Sequence, residues 1–288
     1  MTILITGANG QLGRELQDLL ALDGNHTLLA TDVEDLDITS GDSVDVFFAN
    51  NTDIRWVINC AAFTAVDKAE EQTHLCRKIN VDGPRNLAIA ATRHGAKMIH
   101  ISTDYVFDGQ ACTPYPEDAS TAPQGVYGLT KLEGERQVLE ATAGNCVILR
   151  TAWLYSPHGK NFVKTMLDLG RTRNRLTVVV DQVGSPTYAR DLAGAIINII
   201  NAPEWHAGIF HYSNEGAISW YDFTKAIHRL AGITGCDVQP CMSADYPTPA
   251  RRPAYSVLDK TKIKQTYGIT VPYWEDSLAH CIKRLQNK

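Results

Sequence analysis

The feature that most constrains this chain is the run Gly7-Ala8-Asn9-Gly10-Gln11-Leu12-Gly13, which follows directly on the apolar stretch Ile3-Leu4-Ile5-Thr6. Beyond it, Leu12, Leu16, Leu19 and Leu20 recur at helical spacing, so the segment reads as strand, glycine turn and amphipathic helix. Glycines at these places permit a tight turn, close approach of a phosphate to the main chain and close packing of helix on strand. The helix N-terminus adds a preference for an anion. An ordinary glycine-rich strand-to-helix connection is the alternative, and the turn alone does not decide between the two.

Further apolar runs at Thr27 to Thr31, Trp56 to Cys60, Met98 to Ser102 and Cys146 to Arg150 are separated by stretches of helical or loop composition. Strands buried on both faces read as continuous hydrophobic runs, and parallel neighbours need long, usually helical crossovers. The expected class is therefore α/β, a Rossmann-type doubly wound parallel sheet. After Arg150 the alternation loosens. Leu176 to Val180 and Gly208 to Tyr212 read as strands, and Arg190 to Ile200, Trp220 to Ala231 and Trp274 to Leu285 as helices. This predicts a dinucleotide-binding domain over 1–150 and a smaller mixed α/β substrate lobe over 151–288, some of whose elements return to the first sheet.

Composition excludes several other classes. With a net charge of −5 and scattered positive residues, the chain lacks the footprint of a protein that grips long nucleic acid. The longest apolar runs, such as Leu192 to Ile200, are too short to span about 30 Å of hydrocarbon, so no membrane partner is expected. The seven cysteines form neither a CxxC pair nor a metal-ligand spacing, and the N-terminus reads as a strand and not as a signal. A reducing cytoplasm with core thiols is the expectation.

About 20 residues beyond the glycine turn a dinucleotide site needs an acid for the adenosine ribose, and Asp32 closes the second predicted strand. A carboxylate there repels a 2′-phosphate, so the cofactor is NADH or NADPH with a lean to NADH. A structural Asp32 that caps a turn is the alternative. Asp37-Ile38 stands where it could flank an adenine, or Asp37 is a plain loop carboxylate. Tyr127 and Lys131 lie at i and i+4 on a helical stretch running to Glu140, and a lysine cation beside a phenol is expected to lower its pKa from about 10. Ser102-Thr103-Asp104 ends a predicted strand, where open α/β sheets bind ligands. Thr103, Tyr127 and Lys131 thus form a candidate catalytic set: Thr103 to orient a carbonyl, Tyr127 to protonate the developing alkoxide and Lys131 to hold the nicotinamide ribose.

Together the glycine turn, Asn59-Cys60-Ala61-Ala62, Asn80-Val81-Asp82-Gly83, Ser102-Thr103-Asp104 and the Tyr127/Lys131 pair resemble an extended short-chain dehydrogenase/reductase over nearly the whole chain. Within that superfamily the stretches Ala62 to Glu70, Asp104 to Gly109 and Asp181 to Thr187 resemble the dTDP-4-dehydrorhamnose reductase family. The resemblance implies reduction of the 4-keto group of a dTDP-linked 4-keto-6-deoxyhexose, a precursor of cell-surface polysaccharide. It implies that Gly10, Gln11, Leu12, Asp32, Asp37, Ile38, Ala62, Phe63 and Thr64 line the dinucleotide alongside Gly7 and Gly13. It also implies that Asp104 and Trp153 meet the sugar nucleotide. Arg252, in Arg251-Arg252-Pro253, could grip the diphosphate, with two solvated surface charges as the alternative.

Some members of the family dimerise around Mg2+ held by glutamates. Glu15 fits the first position, but Arg190 occupies the second, and a cation cannot replace an oxygen ligand. No metal is therefore expected, and the chain should be a monomer or a weak homodimer. A dehydratase of the same superfamily would carry Asp-Glu after the threonine, whereas Asp104 is followed by Tyr105. An epimerase, or a non-catalytic regulatory subunit resembling that of methionine adenosyltransferase, remains as a rival reading.

Overall fold

The computed structural model describes residues 1–287. Five strands and six helical segments come first: β1 (Thr2–Thr6), α1 (Gln11–Asp23), β2 (Thr27–Thr31), α2 (Gly41–Asn50), β3 (Ile54–Asn59), α3 (Val66–Glu71), α4 (Thr73–Arg77), α5 (Gly83–Arg93), β4 (Lys97–Thr103), α6 (Val126–Ala141) and β5 (Cys146–Thr151). A π-helical turn, Lys78–Asp82, joins α4 to α5. All five strands predicted here form, Thr27–Thr31 with the ends expected and the others with ends shifted by up to two residues.

The strands make one parallel sheet in the order β2, β1, β3, β4, β5, and the late strand Gly208–His211 pairs with β5 as the sixth. Successive side chains of a strand point to opposite faces. Ile3 and Ile5 accordingly join Leu12, Leu16 and Leu20 of α1 and Leu192 and Ile196 of the helix Ala189–Asn201. Leu4 faces the other way, into a layer with Phe48 of α2, Leu87 of α5 and Val138 of α6. Each such buried Leu, Ile or Phe contributes about 1.5–3 kcal/mol. Helices therefore cover both faces, as the uninterrupted apolar strands require.

A smaller α/β lobe packs around Tyr155, Val163, Phe223, Ile227 and Trp274. It holds the helices Phe162–Thr172, Trp220–Leu230 and Trp274–Gln286, and the parallel pair Arg175–Val179 with Asp237–Cys241. Two further pairings, of two residues each, stitch its loops and have no periodicity to announce them. Among the described residues, no helix is long and apolar enough to cross a membrane. The cysteines are all free thiols, but the expectation that they lie in the core holds only in part. Cys76, Cys146 and Cys281 are buried, whereas Cys112 is exposed.

Candidate active site

The chain runs outward from β1 to β2 and then returns across β1 to β3, so the sheet reverses direction between β1 and β3. Ligands of open α/β sheets bind at the carboxyl ends of strands beside such a reversal. A cleft of about 830 Å3 opens there, and its far wall is Trp153, Leu154, Gly159, Lys160, Asn161 and Trp220 from the second half of the chain.

The glycine turn forms the floor. Gly7 has φ of +65°, and a Cβ on it would lie 2.7 Å from the Ala61 main chain. A Cβ on Gly13 would lie 2.5 Å from the Gly7 carbonyl oxygen and 2.6 Å from Ala8 Cα. Side chains are thus excluded where turn, helix and the end of β3 meet. The Gly10 N–H donates to the Gly7 carbonyl at 3.0 Å, and no side chain caps the N-terminus of α1. The first-turn N–H groups are left to face the cleft, where the helix dipole favours negative charge.

Asp32 is half-buried at the end of β2. Its carboxylate accepts from the Asn9 N–H at 3.0 Å and from the Val33 N–H at 2.9 Å, so it orders the glycine turn as well as lining the cleft. Exposed Asp37 caps its own turn, accepting from the N–H (2.9 Å) and hydroxyl (2.7 Å) of Thr39, with Ile38 buried beside it. Ala62 and Thr64 line the cleft and Phe63 does not. Phe63 is instead held by Asn80, whose Oδ1 accepts its N–H at 2.8 Å and whose Nδ2 donates to its carbonyl at 3.2 Å. The π-helical turn is what brings Asn80 to that loop, a common use of such bulges.

Thr103, Tyr127 and Lys131 come together as predicted, all facing the cleft with Asp104. The first turn of α6 is fixed from outside by Glu70, which accepts the Val126 N–H at 2.9 Å, the favourable place for a carboxylate at a helix N-terminus. Thr103 donates to Asp104 at 3.0 Å and accepts the Tyr105 N–H at 3.3 Å. The Tyr105 ring meets Tyr127 edge-on at 5.5 Å. Lys131 is buried, and its Nζ donates to the Ile101 carbonyl at 2.6 Å.

One expectation fails here. Lys131 does not lower the Tyr127 pKa. Burial pushes the phenol well above its usual range, the nearby Thr103 hydroxyl pulls the other way, and the neighbouring Asp104 and Tyr105 add to the rise. Nζ is turned to the Ile101 carbonyl, and burial lowers the lysine itself to about 8.

Trp153 lines the cleft with its backbone in the left-handed region, φ +49°. Its indole stacks on Trp220, ring centroids 3.5 Å apart and 8° from parallel. Trp220 is a cleft residue that the sequence reading missed, as are Lys160 and Asn161. Asn161 caps the helix Phe162–Thr172 and donates to Gln11 Oε1 at 2.9 Å, so it ties the far wall to the glycine turn. A Lys-Asn pair just before a helix was the available signal. Arg252 does not line the cleft. It donates to Asp67 at 2.7 Å and stands behind Tyr105.

Away from the cleft, Glu15 is wholly buried. Arg284 Nη1 donates to both of its oxygens, at 2.6 and 2.8 Å, and Arg190 Nη1 donates at 3.2 Å. Asp18 and His158 lie close enough to complete a three-ligand cluster with it. Two guanidinium groups already occupy the carboxylate, so a divalent cation does not fit that donor set.

Comparison with known proteins agrees with this geometry. The family profile described as RmlD substrate binding domain matches residues 1–287. A dTDP-4-dehydrorhamnose reductase of Aggregatibacter actinomycetemcomitans is 44% identical, with 96% of each chain covered. The crystal structure of a dTDP-4-dehydrorhamnose reductase from Clostridium acetobutylicum superposes with a TM-score of 0.95 at 50% identity, covering 99% of this chain and 100% of that one. Another, from Bacillus anthracis in complex with NADP, gives a TM-score of 0.93 at 38% identity over 98% and 99% of the two chains. The chain therefore belongs to the RmlD substrate-binding-domain family, that of the dTDP-4-dehydrorhamnose reductases.

Proposed function

We propose that this chain reduces the 4-keto group of dTDP-4-dehydro-L-rhamnose to dTDP-L-rhamnose, with NADH or NADPH as reductant. The observation that carries this reading is the meeting of Thr103, Tyr127 and Lys131 with the glycine turn in one cleft, in a chain of this family. The turn fits a dinucleotide, because the space that side chains on Gly7 and Gly13 would fill is kept clear beneath an uncapped helix N-terminus. The bound nicotinamide supplies the hydride to the carbonyl carbon.

The chain's own residues do the rest. Gly7 to Gly13 take the pyrophosphate, Asp32 the adenosine ribose, Asp37 and Ile38 the adenine side, and Ala62 and Thr64 the remaining edge of the dinucleotide, with Phe63 between them anchoring the loop through Asn80. Thr103 orients the carbonyl and Tyr127 donates its proton to the oxygen. A phenol held above its usual pKa retains that proton at neutral pH and yields it to a strongly basic alkoxide. Lys131 holds the nicotinamide ribose. Trp153 covers the apolar face of the 6-deoxy sugar, Asp104 bonds a hydroxyl, and Arg252 adds positive charge behind Tyr105.

In this division residues 1–150 carry the dinucleotide and 151–288 mainly the sugar nucleotide. The chain acts as a monomer or a weak homodimer in the cytoplasm, without a metal bridge at Glu15. NADH is the favoured reductant, because a 2′-phosphate would meet the Asp32 carboxylate, although the Bacillus anthracis relative was solved with NADP.

The test is a panel of nucleotide-linked keto-sugars offered with each reduced cofactor. We expect loss of reduced-nicotinamide absorbance with the dTDP-4-keto-6-deoxy-L-sugar, faster with NADH than with NADPH. No loss with that sugar under either cofactor overturns the reading.

A further inference from the structure

Beneath Lys131 lies a buried polar chain with no part in the scheme above. His100 and Asn59 are both wholly buried, in adjacent strands. Asn59 Oδ1 accepts the Ala61 N–H at 3.1 Å and the Thr6 hydroxyl at 2.8 Å. A backbone N–H can only donate, so it fixes which end of the Asn59 amide is oxygen. Asn59 Nδ2 must then be the donor in its 3.0 Å contact with His100 Nδ1, which leaves Nδ1 the acceptor and puts the ring proton of neutral His100 on Nε2. That Nε2–H faces Lys131 Nζ at 3.5 Å. Opposite an ammonium the N–H meets another donor, whereas opposite a neutral amine it meets a lone pair.

We propose that His100 is a positioning residue for Lys131. Locked by Asn59 as the Nε2–H tautomer, it presents a fixed donor to Nζ and favours the amine over the ammonium, and so sets how much positive charge Lys131 brings to the cleft near neutral pH. That this charge serves a bound nicotinamide ribose rests on the reductase reading, whereas the bias on Nζ does not.

The other groups around Nζ oppose this bias. Glu135, on α6 itself, favours the ammonium, but its charge is held by Arg150 at 2.7 and 2.9 Å and by Ser102 at 2.5 Å. Cys60 after β3 and Cys76 of α4 act in the same sense. Burial outweighs all three and sets the lysine at about 8, while His100 is held neutral, its pKa far below the usual range through burial and the Lys131 charge. The chain also ends where Ala61 abuts Gly7, so one set of hydrogen bonds joins the floor of the cleft to the lysine.

Two measurements test this without turnover, so they stand or fall separately from the reductase reading. Long-range proton–nitrogen NMR of the unaltered full chain reads the His100 tautomer. A proton on Nε2 is expected, and a proton on Nδ1 overturns the proposal. Amine acylation of Lys131 as a function of pH reads its titration. His100→Phe should raise the midpoint by about one pH unit, a tenfold shift toward the ammonium. His100→Gln, whose amide N–H can replace Nε2–H, should leave it in place. An unmoved midpoint in a folded His100→Phe overturns the proposal, as does a raised one in His100→Gln. If His100→Phe does not fold, the tautomer and the Gln variant decide. Where turnover is present, the alkaline limb of kcat should move up with the lysine in His100→Phe alone.

Discussion

The side of the cleft formed by the glycine turn and the side bounded by Trp153 and Asp104 differ in where strain is kept. On the first, the one left-handed backbone position is Gly7, which bears it at little cost. Asp32, Asn59 and Asn80 have their polar atoms engaged by named partners. On the second, Trp153 holds φ of +49° with a bulky side chain, a conformation that costs about 1–3 kcal/mol. Asp104 is buried there with no hydrogen-bond partner for Oδ2 among the described residues, and burial pushes its carboxyl up to about 6 despite the nearby Thr103 and Ser256 hydroxyls. A floor that acts through its main chain can be relaxed. Side chains kept where folding alone would not put them, as Trp153 and Asp104 are, mark a wall built to meet a ligand with those side chains.

Tyr127 stands at the seam, and its replacement is the sharpest way to separate the sides. Tyr127→Phe should lower kcat by about 100-fold or more and leave cofactor affinity unchanged by equilibrium fluorescence. If both fall together, the sides are not independent. Gly13→Ala is next in size. Its Cβ meets main-chain atoms at 2.5 and 2.6 Å that have nowhere to move, so we expect a loss near 3 kcal/mol in chemical denaturation together with weaker cofactor binding. A variant as stable as its parent would show that the floor is not tight.

The smallest effect has the opposite sign. Folded Asp104 keeps its proton up to a pH of about 6, whereas an unfolded aspartate releases it near 3.8, so stability falls as pH rises through that window. Asp104→Asn should therefore gain about 1–2 kcal/mol at alkaline pH and nothing near pH 4, as read by urea melts at both. No gain at alkaline pH would mean that Asp104 is not under strain.

What could be read from the chain follows the same division. The glycines three apart, the uninterrupted apolar strands and the four-residue spacing of Tyr127 and Lys131 are local patterns, and folding preserves them. The pairing of Trp153 with Trp220, or of Asn161 with Gln11, joins residues far apart in the chain, and nothing local to either marks the other. His100 and Asn59 sit inside apolar strands, where a polar residue looks like an interruption until its partners are known. The direction of the Tyr127 shift is hidden from the sequence for a related reason. Spacing shows which charge is near, but not how much water has been removed.

The clasp at Glu15 bears on the order of assembly. Its carboxylate lies in the first helix, and the guanidinium that takes both of its oxygens lies 269 residues later, at Arg284. A carboxylate buried without its cation is strongly disfavoured. During synthesis, then, Glu15 can meet Arg190 first, but the helix that bears the glycine turn gains the clamp on both carboxylate oxygens only after Arg284 has been made. The turn at the start of the chain is thus fully braced only by a residue made 269 positions after Glu15.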